Sequence, residues 1–378
     1  MISKIITPSF QRHISNIPGY RTQRKLVIIE SDDWGSIRMP SKKVFDKLGE
    51  AGIDLLSDEG FRFNKYDTFA TEQDLSSLFE VLSSIKDVSG RPAVFTPMAV
   101  MANPDFQKIR KNHYRTYYYE PFTDTLKRYP NCELSFDLWQ EGVKKRLFVP
   151  QFHGREHLNV MPWLKALQNR HKNTHIAFDN QMWGITTAND PDIKLEFQAA
   201  FDFIDPQDLE YQKEVIKTGV DLFEELMGYR ASFFVPPNGP FSKQLEAVCF
   251  EAGIKYLSTS KIQSEPLGNG KARKRVHWPG QRSSNGLTYF TRNCFFEPSD
   301  KGRNWEDSCL DEISSAFKWQ KPAVISSHRV NYIGALHQKN RNNGLKQLKN
   351  LLKQIIKRWP DVEFITSEEL GNIVTSKE

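Results

Sequence analysis

Four stretches of this 378-residue chain carry side chains able to do hydrolytic chemistry. The first is Asp32-Asp33, inside ESDDWG. Adjacent carboxylates repel, so if both are buried one of them must meet a cation or a hydrogen-bond donor. The pair follows the strand-like run Lys25–Glu30 (KLVIIE), and the carboxyl ends of parallel strands are where α/β active sites form. The plain alternative is turn chemistry ahead of a helix opening near Ser41. The second is His153 and His157 in HGREH, four residues apart, a spacing that lets two imidazoles share a helix face and a metal. Two rim histidines would look the same. Joined to a carboxylate from another strand end they make an Asp-His-His set with coordination positions left for water and substrate. The third is His328 in SSHR, whose ordinary pKa near neutrality suits a general acid, against the bland reading of a hydrogen-bonded strand-end histidine. The fourth is FFVPPNG, where a strand runs into a rigid Pro236-Pro237 turn. Its use would be to aim backbone N–H groups at a developing oxyanion; its plain use is to stop a strand.

These residues need elements to position them. Runs rich in Val, Ile and Phe at Lys25–Glu30, Pro92–Val100, Arg146–Phe152, Ile176–Phe178, Ser232–Val235, Leu287–Phe290, Ala323–Ile325 and Glu363–Ile365 read as strands. Helical patterns such as Gln212–Met227 and Ser242–Gly253 lie between them, which predicts parallel α/β. Seven or eight strands over this length suggest a (β/α) barrel, with an open doubly wound sheet as the alternative. No repeat or long linker divides the chain, so one barrel over 25–375 is expected. An arm over 1–24 precedes it, and residues 101–145 form an aromatic-rich insertion. Leu345–Trp359 shows an apolar stripe opposite lysines; packing on the sheet is its first reading and a membrane surface its second. The KARKR run at Lys271–Arg275 reads as a solvated loop.

Composition sets the class. With 39% hydrophobic and 26% charged residues the chain is globular, excluding disorder, collagen and a disulfide scaffold. The net charge of +6 does not call for a nucleic-acid partner. The four cysteines, at 132, 249, 294 and 309, have no CxxC spacing, so reduced thiols are expected. The first residues lack the apolar core of a signal peptide, and no uncharged apolar run of about 18 residues occurs, so a cytoplasmic protein is expected.

The order of these motifs, DD-x-G after the first strand, H-xxx-H after a middle strand, PP-x-G later, a lone His after a near-final strand and a closing VEFITSEEL, resembles the polysaccharide deacetylases of carbohydrate esterase family four (the NodB-type domain). The resemblance spans about 25–370. It implies an irregular seven-stranded (β/α) barrel and a divalent metal, zinc first. Asp33, His153 and His157 would be metal ligands, Asp32 the catalytic base and His328 the catalytic acid. Trp34, Pro237, Asn238 and Arg329 are the expected substrate contacts, and Trp163, Trp183 and Tyr332 are further aromatics for stacking on sugar rings. The implied activity is removal of an acyl group, N-acetyl first, from a sugar, polysaccharide or glycolipid precursor. Two departures mark the chain. Trp34 is inserted before the first-motif glycine, and Val235 stands where the family's arginine orients the base, leaving Arg230, Arg329 or Arg38 to replace it. Two other classes compete: HxxEH at 153–157 is also the inverzincin protease pattern with Glu156 as base, and the barrel could bind glycans without catalysis.

Overall fold

The computed structural model describes residues 13–56, 60–187 and 190–376. Eight short parallel strands carry the architecture: β1 (Lys25–Trp34), β2 (Phe95–Ala99), β3 (Gln151–Phe152), β4 (Phe233–Phe234), β5 (Tyr256–Ser258), β6 (Thr288–Phe290), β7 (Cys294–Phe295) and β8 (Ala323–His328). Their order in space is β6-β5-β4-β3-β2-β1-β8-β7, every neighbour parallel. A ninth strand, β9 (Val362–Phe364), pairs with the start of β1. β6, whose outer edge carries the short antiparallel strand Gln281–Arg282, and β7, at the opposite end of the sheet, are consecutive in the chain with three residues between them, a gap of at most about 14 Å. One bent path therefore pairs with β5 and then with β8, and the sheet returns on itself as a curled barrel of seven staves.

The alternation of a strand explains what fills it. Leu26 and Ile28 of β1 point into the barrel with Met98, Phe233, Phe290 and Val324, and Ile365 and Leu370 join the same cluster. Val27 and Ile29 point outward into the larger core under the helices. Continued upward, the same parity carries Glu30 and Asp32 inward.

Several expectations are corrected. Ile176–Phe178 is not a strand; its residues lie in the helix Lys172–Asp179, because an apolar run of three does not fix a period. The KARKR run forms the exposed strand Lys271–Val276, hydrogen-bonded in a hairpin to Ile262–Gly268, instead of a loop. The stretch Leu345–Trp359 belongs to the helix Gln338–Arg358, which buries Leu345, Leu348, Leu351, Leu352 and Ile355 in the outer core, as the packed reading expects. The 101–145 segment folds as a small hairpin, Ala102–Pro104 with Tyr119–Pro121, and three helices. Of the N-terminal arm, residues 1–12 lie outside the described residues. Its remainder is tied to the barrel by Lys321, whose buried Nζ donates to the carbonyls of Pro18, Gly19 and Tyr20 at 2.6–2.9 Å. No helix among the described residues is long and apolar enough to cross a membrane.

Candidate metal centre

The carboxyl ends of the strands open on a cavity of about 960 Å³ whose wall includes Asp32, Asp33, His153, His157, Arg292 and His328. Regular alternation would send Asp32 inward and Asp33 outward. A register shift between Ser31 and Trp34 and a φ of 75° at Asp33 prevent this. The left-handed backbone, which costs a non-glycine residue about 1–3 kcal/mol, turns Asp33 back toward the mouth. Gly35 completes the turn at φ 83°; a Cβ there would lie 2.4 Å from the Val100 carbonyl oxygen.

Opposite stands the segment after β3. Residues 153–157 are not helical, and Gly154 at φ 113° bends the chain so that both imidazoles face Asp33. Asp33 Oδ1 lies 3.0 Å from His157 Nε2 and 3.7 Å from His153 Nε2, and one ligand atom from each of the three residues falls within 4.8 Å of the others. The Val235 carbonyl accepts from His153 Nδ1 at 2.6 Å, which selects the Nδ1–H tautomer and leaves Nε2 bare. That buried Nε2 has no hydrogen-bond partner. A carboxylate oxygen and two imidazole nitrogens converging with an orphaned buried donor atom fit a divalent metal. Burial alone would raise the Asp33 carboxyl; the neighbouring imidazoles of His153, His157 and His328 outweigh it and hold the group well below the usual carboxylate range. Burial keeps the His157 pKa low despite Asp33, so its imidazole is neutral, as a ligand must be.

Asp32 is held from the seam of the barrel. Arg292, between β6 and β7, points inward with the parity of Phe290 and donates from Nη1 and Nη2 to the two Asp32 oxygens, both at 2.6 Å. Its Nε donates to Glu30 at 2.6 Å and Nη1 also to Ser326 Oγ at 3.1 Å. Burial acts to raise Asp32, and this guanidinium overrides it, lowering the pKa. None of the three arginines considered as the missing orienting group has this place. Arg230 is partly exposed and pairs with Asp221 and Glu224. Arg329 donates to Asp67 at 3.0 and 3.1 Å and to the Ser36 carbonyl at 2.9 Å. Arg38 donates to Gln198.

His328 sits in register with Asp32 on the neighbouring strand, its Nε2 3.9 Å from Asp32 Oδ2. Its Nδ1 meets Glu297 Oε1 at 2.6 Å. Burial would lower the imidazole, but the Glu297 carboxylate prevails and pushes it up to about 9. Glu297 is itself held by Arg62 at 2.5 Å and by Asn331 Nδ2 at 2.8 Å.

The expected substrate contacts divide. Asn238 lines the cavity. Pro237 is buried behind it, near Gly154. Trp34 is fully buried in the outer core against Trp139 and Phe148 and donates to Ser31 Oγ at 3.0 Å. Arg329 is likewise sealed by its bonds to Asp67, and Trp163, Trp183 and Tyr332 are fully buried, so none of these five reaches a sugar. Glu156 is buried in an ion pair with Arg155 at 2.7 Å and does not line the cavity, and the helix a protease HxxEH requires is missing. Sequence reading missed Arg292 and Glu297. The available signal for Arg292 was its parity, two residues past Phe290 on an interior-facing run.

No family model and no curated protein matches this chain. Among solved structures it is similar to a probable polysaccharide deacetylase from Pseudomonas aeruginosa (11% identity, 93% of this chain and 90% of that one, TM-score 0.45). It is similar also to Puue allantoinase (11%, 98% and 97%, TM-score 0.45) and to a CE4 family pseudoenzyme from Bacillus anthracis (10%, 94% and 68%, TM-score 0.37). These likenesses are distant, at 10–11% identity.

Proposed function

We propose that this protein is a metal-dependent hydrolase that removes an acyl group, N-acetyl first, from a sugar or glycan. The observation that carries the reading is the joint opening on one cavity of three metal-fitting donors, an ionised carboxylate and a protonated imidazole. Asp33, His153 and His157 would hold the metal, zinc by its liking for nitrogen and carboxylate donors, which supplies Lewis-acid polarisation of the acyl carbonyl and a lower pKa for water. The chain's own groups do the rest. Asp32, kept ionised and aimed by Arg292, takes a proton from the attacking water as its oxygen bonds to the acyl carbon. His328, charged below about pH 9, gives its proton to the departing amine nitrogen as the carbon–nitrogen bond breaks. Glu297 fixes that imidazole, and Asn238, the first residue after Pro236-Pro237 to carry a backbone N–H, lines the cavity where an oxyanion would form.

The test is acetate release from N-acetylated sugars by metal-loaded protein. Asp32→Asn should abolish release and leave bound metal unchanged, whereas Glu156→Gln should leave release intact. Metal-loaded wild type releasing no acyl group from any glycan would instead favour a binding barrel without catalysis.

A further inference from the structure

Buried guanidinium groups in this molecule come with carboxylates. Arg292 holds Asp32 and Glu30, Arg329 holds Asp67, Arg155 holds Glu156 and Arg62 holds Glu297, each at 3.0 Å or less. Arg38 breaks the pattern. It lies in the loop after β1, five residues past Asp33, with 5% of its side chain exposed, and it lines the same cavity as the metal-fitting residues. Among the described residues its nearest carboxylate oxygen, Asp67 Oδ2, is 3.9 Å from Nε and is already bonded to Arg329 Nη2 at 3.1 Å. Arg38 Nη1 donates to a neutral acceptor, Gln198 Oε1, and Nη2 has no acceptor among the described residues. Asp33 and Glu196 act on it only through space. Phe63 packs under the guanidinium, 5.1 Å from ring centre to Cζ, so the fork is held in place. Burial works against the charge of Arg38, Arg155 and Arg292 alike. Carboxylates overcome it in the last two and raise their pKa, whereas that of Arg38 is lowered.

An arginine does not discharge by losing its proton, so a buried fork beside a metal centre is completed by an anion from outside. We propose that Arg38 binds an oxyanion carried by the substrate, a carboxylate or a phosphate, so that the preferred substrate is an acidic acylated sugar. The assignment rests on the deacylase reading for the word sugar, and on Arg38 alone for the word acidic.

The experiment is calorimetric titration of metal-loaded wild type, Arg38→Gln and Arg38→Lys with N-acetylglucosamine, N-acetylglucosamine 6-phosphate and N-acetylmuramate, with acetate release followed in the same samples. Wild type should bind at least one acidic sugar about tenfold or more tighter than the neutral one, and the two acidic arms tell phosphate from carboxylate. Arg38→Gln should lose that preference, and Arg38→Lys should keep part of it; metal content equal to wild type shows that the variants are folded. Equal binding of all three sugars by wild type, no binding of any, or a preference that survives Arg38→Gln because the anion sits on the metal, overturns the assignment. An Arg38-dependent acidic preference without acetate release would keep this assignment and sink the deacylase; acetate release without the preference would do the reverse.

Discussion

Arg292 and Asp32 meet as two matched forks, Nη1 to Oδ2 and Nη2 to Oδ1, each 2.6 Å long and enclosed in the barrel. A guanidinium that takes both oxygens fixes the plane of the carboxylate as well as its charge. The arginine comes from the last stave before the ring closes, while the residue at the Val235 position gives only a backbone carbonyl, to His153.

Arg292→Lys tests that fork. Lysine keeps the charge and loses the two-pronged geometry. Turnover per bound metal should fall about 10²-fold or more, the scale of a misplaced general base, with metal content unchanged. Because Asp32 is then less well stabilised as an anion, the acidic limb of the pH–rate profile should move to higher pH. An unchanged profile would remove Arg292 from the role of positioning residue.

Metal removal gives the second measurement. Chelation should abolish acetate release and lower Tm, since a ligand at a hundredfold its Kd stabilises by about 2.7 kcal/mol. His153→Ala and His157→Ala should each lose the metal by elemental analysis. A variant of either that keeps a full complement of metal would refute the donor set.

The pH dependence of the acid follows from Glu297. His328 is raised to about 9, so its proton is present below that pH and lost above it, and turnover should decline on the alkaline side near about 9. Glu297→Gln removes the carboxylate that raises the imidazole, so the alkaline limb should shift down toward the ordinary histidine value of about 6.5. A bound metal adds positive charge and moves the limb the same way in both proteins, leaving the difference between them as the readout.

Helix packing behind that residue is testable by stability and by turnover. A Cβ on Gly344 would fall 1.8 Å from the carbonyl oxygen of Asn331, whose side chain donates to Glu297. Gly344→Ala should cost about 1–3 kcal/mol in denaturant unfolding, the usual scale of overpacking, and should weaken catalysis through Glu297. Gly52→Ala, with nothing within 4 Å of the added carbon but a φ of 86°, separates backbone strain from collision.

The residues that stand alone by type at strand ends, Asp32, Asp33, His153, His157 and His328, were legible in the sequence because their neighbours form apolar runs long enough to show a strand. Arg292 and Glu297 were not, since β7 is two residues long and carries no period of its own. Arginine and glutamate are also the common furniture of surfaces, so their burial is visible only once the ring has formed. Trp34 misled for the opposite reason. Beside two aspartates it suggested a sugar platform, but the turn at Asp33 sends it outward against Trp139 and Phe148. Ile176–Phe178 misled because β-branched and aromatic residues also serve a short helix that buries Phe178.

The bent path through β6 and β7 ties architecture to timing. The joint that completes the circle of staves is also the joint from which Arg292 reaches Asp32, so the carboxylate is oriented only once two segments 260 residues apart in the chain have met. The plane of the Asp32 carboxylate is for that reason a property of the closed ring and of no smaller part of it.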